Sequence, residues 1–117
     1  MRLWKKLLFG FLAFIVILAD AFVIWGETPA QPMPEALAVL QSDSVVTVTT
    51  GSWLVFQPAD DVYQTGFIFY PGGRVDYRAY APMARAIAAE GHLVVIPRMP
   101  LNLAVFGVEK ASDVLAV

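Results

Sequence analysis

The sequence of 117 residues contains no cysteine and a single histidine. Without cysteine, a disulfide framework, a thiolate metal site and thiol catalysis are all excluded. Charged residues make up only 15% of the chain, against about 25% in average soluble domains. Hydrophobic residues make up 58%, which argues against a largely disordered chain.

Basic residues are scarce beyond the N-terminus. Arg2, Lys5 and Lys6 come before the first apolar run, and the next basic residue is Arg74. Residues 27–117 hold 5 Lys or Arg and 9 Asp or Glu, a formal net charge of 5 − 9 = −4. A nucleic-acid partner requires a basic surface, so we expect no nucleic-acid binding. The acidic pair Asp60-Asp61 lacks histidine neighbours, and we expect neither a metal site nor a cofactor.

A long apolar run opens the chain. It extends from Leu7 to Trp25 with Asp20 as its only charge, and a helix of this length approaches the ~30 Å hydrocarbon core of a bilayer. We predict that residues 1–26 are a membrane anchor, with the N-terminus cytoplasmic and residues 27–117 outside the cytoplasm. The alternative is a cleaved signal peptide with its small-x-small site at Ala19-Asp20-Ala21, which would release a secreted protein. The apolar residues that continue past this site favour the anchor.

The remaining chain predicts a proline-containing linker at residues 27–43 and a partial α/β domain at residues 44–117. Its patterns indicate a hairpin, a strand buried on both faces, a helix, a second buried strand and a final helix. The strand, helix and strand in the middle form a βαβ unit with parallel strands. The predicted bounds are Ser44–Gly51 and Ser52–Pro58 for the hairpin, Gly66–Tyr70 and His92–Pro97 for the later strands, and about Tyr80 to Gly91 and Val108–Val117 for the helices. Tyr80, Met83, Ala84 and Ile87 form the predicted apolar stripe of the first helix.

A diglycine follows the first buried strand, in Pro71-Gly72-Gly73. One explanation is a tight turn in which glycine supplies a positive φ. A phosphate cradle is a second explanation, although neither a dinucleotide nor a P-loop fingerprint is present. The third explanation is an oxyanion hole, formed by a backbone N–H at the carboxyl end of the strand.

The order of elements and the motif together resemble the opening of the α/β-hydrolase family, in particular its compact members related to dienelactone hydrolase. The resemblance covers about residues 44–117, with "YPGG" after a strand, a helix in "YAPMARAIAAEG" and a strand in "HLVVIPRMP". It implies the N-terminal half of an α/β-hydrolase sheet. It also implies that Gly73, supported by Gly72, donates a backbone N–H to a tetrahedral intermediate during cleavage of a small-molecule ester or similar acyl bond.

The sequence departs from the family pattern because no G-x-S-x-G nucleophile elbow occurs in it. Ser42, Ser44, Ser52 and Ser112 do not follow a strand-to-helix glycine turn. The resemblance implies that the catalytic serine, acid and histidine come later, so we expect an N-terminal fragment that is inactive by itself. A non-catalytic anchored binding module and a phosphate-binding half-domain remain as alternatives.

Three other features near the predicted crevice have open roles. Arg74 and Arg98 either contact an anionic substrate or lie in solvent. The apolar segment Met99–Gly107 lines an acyl pocket or packs against the anchor or the core. The only histidine, His92, begins a strand, which is the wrong end of a sheet for catalysis, and we expect a structural role for it.

Overall fold

The computed structural model describes residues 2–115. Its first element, α1, is a helix of 24 residues, Leu3–Gly26. The apolar side chains of α1 are exposed, and only Gly26 at its end is buried. By length and composition this helix fits a membrane span, and a signal sequence near an N-terminus fits the same description.

A four-stranded sheet forms the centre of the domain, with strand order β1-β2-β4-β3. β1 and β2 form the predicted antiparallel hairpin, β2 also pairs antiparallel with β4, and β3 pairs parallel with β4. The chain crosses from β3 to β4 through a helix, α3, which confirms the predicted βαβ unit. The bounds are Val46–Thr49 for β1, Trp53–Pro58 for β2, Gly66–Ile68 for β3, Ala81–Ala89 for α3 and Leu93–Pro97 for β4.

The core lies between the sheet and α3. Leu54, Phe56, Val94 and Ile96 are fully buried on the sheet, and the buried face of α3 consists of Ala81, Ala84 and Ala88. The predicted stripe of α3 was therefore partly wrong. Met83 is 38% exposed, because the three alanines allow the helix to approach the sheet closely and the larger side chains lie to either side.

β3 is shorter and more exposed than predicted. It ends at Ile68 rather than Tyr70, and Phe67 is 46% exposed. The expectation of a strand buried on both faces was wrong, because β3 is the edge strand and has β4 on one side only. A short edge strand leaves fewer backbone N–H and C=O groups without a strand partner than a long one does.

The segment between α1 and the sheet is attached to the domain. Ala30 forms a parallel bridge with Val75, and a short helix, α2, spans Pro34–Ala38 with Pro34 in its first turn. This contact places the segment beside the loop that follows β3. The segment predicted as a linker thus has structure of its own.

The last described helix, α4, spans Lys110–Leu115. It starts two residues later than predicted, since Val108 and Glu109 form a turn. Val108 and Leu115 are 62% and 76% exposed, so neither belongs to a buried stripe of this helix. The predicted end of the helix at Ala116 and Val117 lies outside the described residues.

Candidate active site

The diglycine lies in the loop that follows β3, at the carboxyl edge of the parallel pair. Neither Gly72 nor Gly73 has a φ in the left-handed region, so the explanation by a positive-φ turn is wrong for both. The positive φ of this loop, 55°, belongs to Arg74 instead. A left-handed φ is strained for a residue with a side chain, and contacts on both sides of the loop keep Arg74 in this conformation.

Gly72 is a glycine because a side chain approaches it closely. Its N–H donates to the hydroxyl oxygen of Tyr80 at 2.9 Å. A Cβ at this position would lie 2.7 Å from the same hydroxyl, which is closer than real contacts allow. The Tyr80 ring is itself packed against Phe69, with ring centroids 4.9 Å apart, so the hydroxyl has little freedom to move.

Gly73 differs from Gly72 in both respects. It is exposed, and its N–H donates to no acceptor within residues 2–115. A Cβ at this position would meet only Leu103 Cδ2, at an ordinary distance of 3.9 Å. Within the described residues, neither backbone conformation nor packing requires glycine at position 73.

The side chain of Arg74 points to the end of α1. Its Nε donates to the Trp25 carbonyl at 2.9 Å and its Nη2 donates to the Thr28 carbonyl at 2.6 Å. The guanidinium also lies over the Trp25 ring, 4.8 Å from the centroid. A cation at the C-terminal end of a helix is favoured by the helix dipole. The substrate-binding role of Arg74 stays a prediction, and these contacts give the residue a structural role.

Asn102 connects the same groups and was missed by the sequence analysis. Its backbone carbonyl accepts a hydrogen bond from Arg74 N at 2.7 Å, and its buried side-chain amide donates to the Gly26 carbonyl at 2.7 Å. The signal was present in the sequence, since Asn102 is the only polar residue in the apolar segment Met99–Gly107. A polar residue in such a segment usually has a specific hydrogen-bonding partner.

Comparison with known proteins supports the resemblance at the level of the family. The model of the alpha/beta hydrolase family matches residues 66–117. Residues 66–117, somewhat less than half of the chain, are therefore similar to the α/β-hydrolase family. No curated protein and no solved structure matches the chain. The matched α/β-hydrolase segment begins at β3 and includes the diglycine loop, α3 and β4.

In the α/β-hydrolase fold, ligands bind outside the carboxyl ends of the strands. A cleft of about 500 Å³ lies at this end of β4, lined by Arg98, Met99 and Asn102 together with Ser52 and Lys110. Gly72 and Gly73 do not line this cleft, although Arg74 N next to them donates to the Asn102 carbonyl, which is part of its wall. The diglycine, and not the cleft, is the feature that matches the hydrolase pattern.

The remaining predicted features lie away from the diglycine loop. His92 is at the amino end of β4, where its ring packs edge-on against Phe67 at 5.7 Å. Asp60 accepts a hydrogen bond from the Val62 N–H within its own loop. Residues 2–115 contain no group of three or more His, Asp or Glu that would hold a metal ion.

An ion pair fixes the loop on the side that leads into α3. Asp76 is buried and accepts two hydrogen bonds from the Arg78 side chain, at 2.9 and 2.8 Å, as well as one from Arg78 N. The hydrogen bonds from the Arg78 side chain lower the pKa of Asp76 below its ordinary value. The hydrogen bond from Arg78 N caps the short helical turn Tyr77–Tyr80, and these contacts hold the loop after the diglycine in one conformation.

Proposed function

We propose that residues 1–117 are the N-terminal part of a membrane-anchored serine hydrolase that cleaves an ester or a similar acyl bond. The nucleophilic serine, its histidine and its acid are then supplied by sequence outside these residues, since no nucleophile elbow occurs within them. Residues 1–117 by themselves are inactive in this proposal. They contribute half of the sheet and one hydrogen-bond donor to the oxyanion hole.

The N–H of Gly73, an exposed residue, is the observation that carries the proposal, because it has no acceptor within residues 2–115. An oxyanion hole needs a backbone donor that is fixed in place and has no partner before the reaction begins. Gly73 N–H has no acceptor within residues 2–115, whereas the neighbouring Gly72 N–H is used by Tyr80. The hydrogen bond from Arg74 N to Asn102 holds the residue after Gly73, and the Tyr80 contact holds the residue before it.

The membrane anchor is the second part of the proposal. The apolar side chains of α1 are exposed along its full length, and Trp25 lies at its outer end, where interfacial aromatic residues are expected. The basic residues Arg2, Lys5 and Lys6, at the N-terminal end of α1, favour a cytoplasmic N-terminus and a domain outside the cytoplasm. A phosphatase reporter fused after Val117, active only outside the cytoplasm, tests this orientation.

A non-catalytic anchored module is the second candidate, favoured by the absence of a nucleophile elbow from residues 1–117. The native protein, expressed from its own reading frame in its membrane, discriminates between the two. A hydrolase reacts covalently with a fluorophosphonate probe and hydrolyses p-nitrophenyl esters. A binding module does neither, and that result would overturn the proposal.

The role of Gly73 is tested with Gly73→Ala in the native protein. Alanine keeps the backbone N–H, but its Cβ is expected to crowd the reacting carbon or tilt the amide away from the oxyanion. Loss of one oxyanion donor typically lowers kcat by about 10²- to 10³-fold, and KM is expected to change little because the charge develops only in the transition state. Gly66→Ala is the matched control, since its Cβ would also be in ordinary contact, 3.6 Å from Leu93, at the other end of β3. If both variants keep normal kcat, Gly73 is not a donor.

A further inference from the structure

The carboxyl-end loops of the sheet hold the last carbonyl groups of α1. The end of a helix leaves such groups without intrahelical partners. Here the Trp25 carbonyl accepts from the Arg74 side chain in the loop after β3, and the Gly26 carbonyl accepts from Asn102 in the loop after β4. A Cβ on Gly26 would lie 2.8 Å from Leu101 Cβ, so the contact between the helix end and the second loop is close. The crevice side of the sheet therefore lies directly at the end of the apolar helix.

The segment Leu103–Val108, here called the apolar loop, continues from this contact and carries no charged residue. Val105 and Phe106 are 71% and 52% exposed. The Phe106 ring packs edge-on against Phe22 of α1, with ring centroids 6.3 Å apart. The apolar loop thus touches the helix before the helix ends.

The position of Phe22 gives the depth of this contact. Phe22 is four residues before the end of α1 at Gly26, which is about 6 Å along the axis at about 1.5 Å per residue. Apolar faces that lie in a membrane interface are buried to a similar depth of about 5–10 Å. A bilayer that covers α1 up to Trp25 therefore also reaches the apolar loop.

We propose that the apolar loop inserts into the lipid interface beside α1, as a second contact between the domain and a phospholipid bilayer. The inference rests on the proposed membrane anchor. Charge supports the orientation, because the loop at the opposite end of the sheet carries Asp60 and Asp61, whereas the apolar loop carries no charge. The diglycine loop then lies on the membrane side of the domain, since a Cβ on Gly73 would lie 3.9 Å from Leu103 at the start of the apolar loop.

Single-cysteine variants test the insertion without labelling at any other site, because the chain has no cysteine of its own. Val105→Cys reports on the apolar loop and Ile17→Cys on the centre of α1. Val62→Cys is the matched control, a valine of nearly equal exposure, 69% against 71%, in the loop before β3. Each full-length variant is labelled with an environment-sensitive fluorophore and reconstituted into phosphatidylcholine vesicles with a minor share of phosphatidylglycerol. Quenching is measured with nitroxide-labelled lipid and with aqueous iodide.

We expect the probe at position 105 to be quenched several-fold more strongly by the nitroxide lipid than the probe at position 62, and less by iodide. If the variants float with the vesicles and the position 17 probe is quenched by lipid, but positions 105 and 62 respond alike, the anchor stands and the inserted loop is wrong. If the variants do not float with vesicles, the proposed anchor fails and this inference fails with it.

Discussion

At the scale of single residues, adjacent glycines have different reasons to be glycine. At Gly72 the reason is steric, because the Tyr80 hydroxyl occupies the space that a side chain would need. At Gly73 no steric or conformational reason exists within the described residues, the residue is exposed, and its N–H donates to no acceptor within them. The contrast separates a position that the fold requires from one that the proposed chemistry requires.

The steric account of Gly72 predicts coupling between Gly72→Ala and Tyr80→Phe. Gly72→Ala should lower the free energy of unfolding by about 1–3 kcal/mol, the usual range for overpacking. Tyr80→Phe should cost about 0.5–1.5 kcal/mol through loss of the hydrogen bond to Gly72 N–H. In the double variant the clashing oxygen is absent, so the alanine should cost less than it does alone. Denaturant unfolding of all four proteins in detergent measures the coupling, and simple additivity would contradict this account.

At the scale of elements, one arginine of α3 holds the segment that leads into β1. Arg85 donates to the carbonyls of Val39 and Gln41 at 3.0 and 2.8 Å, and it forms an ion pair with Asp43. Asp43 Oδ1 in turn accepts hydrogen bonds from the N–H groups of Val45 and Val46 at 2.8 and 2.9 Å. These contacts join the start of the hairpin to a helix that comes about 40 residues later in the sequence, which local patterns do not reveal.

The ionised form of Asp43 should therefore stabilise the fold. Backbone hydrogen bonds from Val46 and Val45, and then the Arg85 side chain, lower the pKa of Asp43 from 3.8 to about 2. Because the folded-state pKa is the lower one, the stabilisation is complete above pH 3.8 and is lost as the pH falls towards 2. Asp76, whose pKa is also lowered, contributes in the same direction.

Asp43→Asn isolates this contribution, because the amide oxygen still accepts the backbone hydrogen bonds. We expect the variant to be less stable than the wild type at neutral pH and the difference to shrink as the pH falls from about 4 to about 2. Thermal unfolding of both proteins in detergent across this pH range measures the difference in stability. A difference that is unchanged by pH would show that the charge of Asp43 has no part in stability.

At the scale of the whole molecule, the two edges of the sheet are different. The outer edge of β1 is covered by the chain that precedes it. Ser42 Oγ exchanges hydrogen bonds with Val48 N and O, and Asp43 N donates to the Val46 carbonyl. The outer edge of β3 has no strand beside it within residues 2–115, and Phe67 is exposed there. An uncovered edge with an exposed apolar side chain invites pairing with another chain.

The open edge predicts that the chain of residues 1–117 self-associates in detergent at high concentration. Phe67→Lys should reduce the association, because an edge lysine opposes strand pairing. Val62→Lys is the control, since Val62 is equally apolar and 69% exposed but lies outside the strand. Light scattering coupled to size-exclusion chromatography measures the mass. An identical mass for wild type and both variants would contradict a role for the β3 edge.

The sequence by itself determined the local elements of this protein. The apolar run, the β-branched hairpin and the capping signals predicted α1, β1, β2, α3 and β4, because each depends on neighbouring residues. Pro82 lies in the first turn of α3, where proline is tolerated, and Gly91, with a φ of 101°, follows its end. The diglycine and the family resemblance likewise located the candidate site, since its motif is contiguous.

Only the tertiary structure decided what surrounds that site. The exposure of β3 depends on strand order, and the different roles of Gly72 and Gly73 depend on where Tyr80 and Leu103 lie. The contacts of Arg74 and Asn102 with the end of α1 join residues 46 to 76 positions apart in the chain. Periodicity and propensity describe neighbours along the chain, whereas these contacts arise when separate loops meet at one end of a sheet. That meeting point places the diglycine loop beside the end of the apolar helix.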